Sequence, residues 1–325
     1  MPREVNEFFL QVLGVLATPA LVLTNRQLLK NVDCASLLML THNSIVCIFF
    51  IRQICGIDVN RSNKLPFFWA PTVSIISVSS LWASNAILQR TSVSFHQLCK
   101  VLTIPCGAIV DNRVFGIHRT KVELCFHIFV VVGAIIIIED EGENRGHLDI
   151  DVLPVAFLFI VATISGIASN KYARTHYDIH ASQLVGLIVP YSLFASIVLY
   201  IATESSIHDF IEALVKLSFQ HPFILPLNLG FACSVQYLST WSSTVSSNAL
   251  YAVLGQVKVL LAIILGKMIE GEYISLRLVI GTCIIVISAT GATSAEVLKI
   301  GQTKLKLILF TMLTGSIVIK WLYIK

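Results

Sequence analysis

Ser92-Val-Ser-Phe-His-Gln-Leu-Cys-Lys100 leads into an apolar stretch running from Val93 to Phe115, and it sets an ammonium group inside a run otherwise suited to hydrocarbon. Tyr251-Ala-Val-Leu-Gly-Gln-Val-Lys258 does the same in the second half of the chain, within the run 245–269. A lysine at bilayer depth costs on the order of 3 kcal/mol even on lenient insertion scales. Such a residue is retained by snorkelling to an interface, by pairing, or by facing a watery cavity. One in each half, with matched surroundings, points to two cationic groups facing a common anion.

The rest of the chain makes the setting a membrane. Of 325 residues, 55% are hydrophobic and 13% charged, and the mean hydropathy is +0.80. A soluble domain carries about 25% charged residues, so a soluble enzyme is excluded in favour of an all-α polytopic membrane protein. Apolar runs at 8–29, 35–55, 67–88, 93–115, 121–138, 153–174, 181–203, 222–241, 245–269 and 274–295 give about ten segments near the length that crosses a bilayer. A further run near 305–324 is interrupted by Lys320. The runs are continuous rather than alternating, which predicts helices and not barrel strands. No small-residue cleavage site follows the first run, so it is expected to remain as a span, and no transit peptide is expected. The eight cysteines (Cys34, Cys47, Cys55, Cys99, Cys106, Cys125, Cys233 and Cys283) form no Cys-x-x-Cys pair and read as apolar packing residues. The net charge of +4 comes from scattered loop cations and gives no reason to expect nucleic acid.

With a cytosolic N-terminus, Arg3, Arg52, Arg61, Lys64, Arg113, Arg119, Lys121, Lys171, Arg174, Lys299, Lys304 and Lys306 gather on the cytosolic side. They outnumber Arg26, Lys30, Arg90, Arg145, Lys216, Lys267 and Arg277 opposite, which puts both termini in the cytosol. The acidic loop from Glu139-Asp-Glu-Gly-Glu143 to Asp151 then lies on the far side, at the seam of a duplication. Leu23-Thr-Asn25-Arg26 closes the first span and Ala168-Ser-Asn170-Lys171 the sixth. An odd number of spans per half inverts one half relative to the other, a recurring transporter plan with its site at the midplane. The expected organisation is therefore residues 1–150 and 151–300 as two inverted five-helix repeats, with 301–325 as a C-terminal extension that forms an extra span or a tail.

Residues three, four and seven apart share a helix face, so His96 and Gln97 are expected beside Lys100, and Tyr251 and Gly255 beside Lys258. A phosphate or diphosphate is the natural guest, since each ammonium offers a full charge and three donors. Gly255 would let ligand or a neighbouring helix approach the backbone. Asn25, Arg26, Asn170 and Lys171 read as gate residues, substrate contacts or helix-end anchors. Asp111 reads either as the interfacial partner of Arg113 or Lys121, or as a gating or coupling acid. Pro105 is expected to kink or break its helix. No catalytic constellation, metal set, Walker motif or glycine-rich phosphate loop is present. The chain therefore reads as a carrier, neither an enzyme nor a pump driven by its own nucleotide hydrolysis, and needs no cofactor.

Over about residues 8–295 the chain resembles the nucleotide-sugar and triose-phosphate translocator family of the drug/metabolite transporter superfamily. Ser92-Val-Ser-Phe-His-Gln97 with Lys100 is similar to the family's Ser-Val-x-Phe-Tyr-Gln-x-x-Lys. Ser247, Tyr251 and Val253-Leu-Gly-Gln-Val-Lys258 are similar to its second-half motif. Asp111 stands where the family often has Glu. The resemblance implies electroneutral antiport of a nucleotide sugar against the nucleoside monophosphate, in the Golgi or endoplasmic reticulum. It implies phosphate contact at Lys258. Val259, where plastid sugar-phosphate members carry a second cation, brings the pattern nearer to nucleotide-sugar carriers; exchange of a sugar phosphate for phosphate is the alternative. A non-transporting regulator with the same fold is a third reading. His96 for Tyr, Asn248 for Pro, and Gly186-Leu187 for the usual base-reading Tyr-Asn or Tyr-Gln depart from the pattern. The expected partners are the lipid bilayer and the transported solutes, and a homodimer is compatible with the small apolar faces of both halves.

Overall fold

The computed structural model describes residues 3–31, 35–55, 65–116, 118, 121–145, 151–177, 179, 181–204, 207–245 and 248–297. Among them there are helices and no strand. That is what hydrocarbon demands of a chain without a closed barrel, because every backbone N–H and C=O must be satisfied within its own segment. The C-terminal extension from 301 to 325 lies outside the described residues, as does Ser247.

In chain order the helices are α1 (Arg3–Asn31), α2 (Ala35–Phe49), α3 (Ile51–Cys55), α4 (Trp69–Arg90), α5 (Val93–Phe115), α6 (Lys121–Arg145), α7 (Val152–Tyr177), α8 (Ala181–Glu204), α9 (Ile207–Gln220), α10 (Ile224–Val245), α11 (Asn248–Glu270) and α12 (Leu276–Val297). Four stretches among the described residues are long and apolar enough to cross a membrane: Trp69–Arg90, Val93–Phe115, Val152–Tyr177 and Gln183–Thr203. Ala35–Phe49, Ile224–Gln236 and Leu276–Ser288 are shorter apolar helices. The chain is thus a helical membrane protein.

Each of the ten apolar runs between residues 8 and 295 coincides with helix among the described residues, with four differences. The run 35–55 is divided at Phe50, although Phe50 N–H donates to Val46 O (2.9 Å) and Ile54 N–H to Phe50 O (3.0 Å), carrying the hydrogen bonding across the break. The acidic stretch Glu139–Glu143, expected as loop, continues α6 to Arg145; glutamate is a good helix former and extends a helix already nucleated by its apolar part. Pro105 sits inside an unbroken α5. Lastly, α9 occupies a segment with no span-length apolar run. It packs Leu217 into the interior and Phe210 edge-on to Tyr200, with centroids 5.4 Å apart, while Ile211, Val215 and Phe219 lie exposed at fourfold spacing.

Helix ends position the site. Ser92 caps α5, its hydroxyl accepting from Phe95 N–H (2.9 Å). Gly116 terminates that helix in the left-handed region (φ 65°), returning its N–H to Asp111 O. Gly271 (φ 67°) does the same after α11, where Glu272 N–H closes on Lys267 O (3.0 Å). Only glycine takes this conformation without Cβ strain.

Packing is regular across the two halves. α1 packs on α10 as α4 packs on α7; α1 on α11 as α5 on α7; α4 on α8 as α2 on α10; and α5 on α6 as α11 on α12. α2 meets α8, α5 meets α11, and α6 meets α12. Leu98, Val101, Val130, Ala134, Ile137, Ile263, Leu278 and Ile285 form the apolar core shared by α5, α6, α11 and α12. The α6–α12 crossing is tight because Gly133 faces Gly281: a Cβ on Gly281 would lie 2.7 Å from Ile137 Cγ1 and 2.8 Å from Gly133 O. Small residues that let backbones meet are the usual basis of helix association in lipid. Gly281→Ala is therefore expected to cost about 1–3 kcal/mol through overpacking. Gly107→Ala, whose Cβ would meet nothing within 4 Å, should be neutral or better. Thermal unfolding of the two variants in detergent checks the contrast.

Candidate functional site

The crossing of α5 and α11 brings the two lysines together. A Cβ on Gly266 of α11 would lie 2.9 Å from Val93 Cβ of α5, so the C-terminal part of α11 runs along the start of α5. Leu98 and Val101 then meet Ile263 and Val259 further along, an antiparallel register. In that register Lys100 falls opposite Val259, one residue from Lys258. Lys258 extends toward α1: a Cβ on Gly14 would stand 3.8 Å from its Nζ. Two ammonium groups held at such range in an apolar bundle favour an anion between or beside them. Gly255 presents an open side, since an added Cβ would meet nothing within 4 Å. Tyr251 is on α11, with its side chain outside the described residues.

His96 and Gln97 are buried, at 1% and 2% exposure. His96 turns one edge to α4, its Nε2 2.7 Å from Ser84 Oγ, and its ring stands 6.0 Å from that of Phe159 on α7. It also lies within electrostatic range of Lys100. His96 Nδ1 and Gln97 Nε2 are buried without a hydrogen-bond partner among the described residues. Groups of this kind are costly unless something fills the vacancy.

The expected gate residues separate into a buried amide network and two ion pairs. Asn25 joins the network. Its Nδ2 donates to Asn85 Oδ1 (3.3 Å), and its Oδ1 accepts from Asn228 Nδ2 (2.5 Å). Asn228 Nδ2 also reaches Thr24 Oγ1 (2.8 Å), and Asn228 Oδ1 lies 2.6 Å from His42 Nε2. Asn25 is thus a structural junction of α1, α2, α4 and α10. The sequence reading overlooked Asn85, Asn228 and His42, for which the available signal was a strongly polar residue inside an apolar run. Asn228→Ala strips partners from Asn25 and His42 at once and is expected to destabilise by about 1–3 kcal/mol, measured as a lowered unfolding midpoint in detergent.

Arg26 donates from Nε to Glu270 Oε1 (3.0 Å) and from Nη1 to the carbonyls of Leu88 (2.6 Å) and Gln89 (3.0 Å). It thereby closes α11 against the end of α4. Lys30 Nζ shares Glu270 at 3.4 Å. Glu270 had been given no role from sequence. Asp111 takes Lys171 of α7 at 2.6 Å, a partner that the expectation of Arg113 or Lys121 does not include, and Lys171 Nζ also sits 4.7 Å above the Phe115 ring. Lys171, expected as a substrate contact, is engaged by this pair. Asn170 Oδ1 beside it is buried without a hydrogen-bond partner among the described residues.

No family model matches the chain, and no curated protein matches it. Solved structures do: one crystal structure aligns with a TM-score of 0.59 over 89% of this chain and 98% of its own, at 12% identity. At that identity the likeness shows the fold alone.

Proposed function

We infer that the chain is a secondary-active antiporter of about ten spans in two inverted five-helix repeats, carrying a nucleotide sugar into the Golgi or endoplasmic-reticulum lumen against the nucleoside monophosphate. The observation that carries this reading is the pair Lys100 and Lys258, two like charges that the antiparallel crossing of α5 and α11 sets side by side. A phosphorylated solute relieves that repulsion and supplies acceptors for both ammonium groups. The repeat reading is supported by the exchange of packed pairs between halves and by the matching left-handed glycines after α5 and α11.

Obligatory exchange follows from the same charges. A bound phosphate compensates two cations brought together in a low-dielectric bundle, so the loaded carrier reorients more readily than the empty one. His96, Gln97 and Tyr251 would orient the solute beside the phosphates. Purified protein in liposomes should take up labelled nucleotide sugar only when the matching nucleoside monophosphate is trapped inside. Equal uptake into empty liposomes would sink strict exchange. Uptake driven only by internal inorganic phosphate or sugar phosphate would move the assignment to that exchange, which Gly186-Leu187 at the usual base-reading position favours.

A further inference from the structure

The two ion pairs stand at opposite ends of α5, with Lys100 between them. Because Val93 packs on Gly266, Glu270 belongs to the N-terminal end of α5, where Arg26 also holds the carbonyls of Leu88 and Gln89 just ahead of that helix. Asp111 belongs to the other end, before Gly116. A helix rising 1.5 Å per residue sets Val93 and Asp111 roughly 27 Å apart, near the thickness of a bilayer core of about 30 Å.

The pairs are also counterparts. Each joins the first helix of one half to a late helix of the other: α1 to α11 through Arg26 and Glu270, α7 to α5 through Lys171 and Asp111. In both, the cation directly follows an asparagine, Asn25 or Asn170, and the acid shortly precedes a left-handed glycine. Both are formed in the same conformation.

We propose that Arg26–Glu270 and Lys171–Asp111 are the two latches of an alternating-access cycle, each closing one end of the path to the lysine pair, and that this conformation is the doubly closed one. The inference goes beyond the identity of the solute and concerns how the halves part. The latches are unequal. The side chains of Arg26 and Glu270 are largely covered, at 12% and 6% exposure, with two further carbonyl bonds and Lys30 in support. Lys171 and Asp111 are 34% and 24% exposed, and the cation has the Phe115 face as its second contact. A pair with less of its surface covered by protein has fewer contacts to hold it, so the Lys171 end opens more readily.

The test is side-specific labelling of a Gly255→Cys reporter in sealed, oriented vesicles with a membrane-impermeant maleimide, read above the background of the parent chain. The reporter alone should label faster from the Lys171 face. Glu270→Gln should raise labelling from the Arg26 face by about fivefold or more, the lower end of what coupling between two states supplies. Asp111→Asn should raise it from the Lys171 face, and Lys171→Asp combined with Asp111→Lys should return it to the parent rate. If Glu270→Gln yields too little protein, Arg26→Lys, which keeps the charge and loses the guanidinium fork, should give a smaller rise from the same face. Unchanged sidedness in both single variants, or a rise from one common face, would overturn the latch assignment. Faster labelling of the reporter from the Arg26 face would overturn the inequality. No substrate is needed, so the result is independent of which solute is carried.

Discussion

Lys258→Met is expected to abolish measurable exchange while leaving a folded protein. A hydrogen bond to a charged group contributes about 1.5–3 kcal/mol, so loss of the ammonium should weaken phosphate binding by about 10- to 150-fold. The apo protein should lose little, because methionine keeps most of the volume and carries no charge to bury in the bundle. The two effects have opposite sign for a lysine that merely props the helices apart: its removal would lower the unfolding temperature and leave binding intact. Exchange in proteoliposomes and unfolding midpoints in detergent, taken on one preparation, separate the cases. Lys100→Met should behave alike if both ammonium groups face the same anion.

The second large effect concerns stability. Arg26→Met removes a buried ion pair and uncovers the carbonyls of Leu88 and Gln89, while Glu270 keeps its carboxylate near Lys30. Breaking such a pair from one side costs about 3–5 kcal/mol. Lys171→Met breaks the more exposed pair with Asp111 and is expected to cost about 0–1 kcal/mol. Unfolding midpoints of the two variants in the same detergent should therefore differ clearly. Equal losses would mean that the two ends are held with similar strength.

The lysines were legible from sequence because a cation within an apolar run has few ways to be tolerated, and each way leaves a mark on its neighbours. The helices were legible for the related reason that hydrocarbon leaves the backbone no alternative. What a single sequence withholds is which faces meet. Asp111 has cations within a few residues, and it also bonds Lys171, sixty residues away in the chain. That pairing follows only once α5 is seen to pack on α7. Glu270 passed unremarked as the last residue of a helix, although it follows Lys258 at nearly the distance by which Asp111 follows Lys100.

At Asn25 the sequence leaves gate, substrate contact and helix-end anchor open, and packing supplies the partners. The Asn25 amide is consumed by Asn85 and Asn228, and the adjacent Arg26 carries the ion pair. The helix α9 is hidden in the sequence because its segment holds no span-length apolar run. An amphipathic segment with Leu217 turned inward and Ile211, Val215 and Phe219 outward has a different periodicity from a span.

The central claim is that Lys100 and Lys258 form one site for a phosphorylated solute. It is tested most directly by thermal unfolding of the detergent-solubilised protein against a panel of nucleoside monophosphates, nucleotide sugars and sugar phosphates. A ligand at about 100 times its dissociation constant adds roughly 2.7 kcal/mol, a readily measured shift. The account predicts a shift with one nucleoside monophosphate and its sugar conjugate that disappears in Lys258→Met. A shift that survives the substitution, or none across the whole panel, would contradict it.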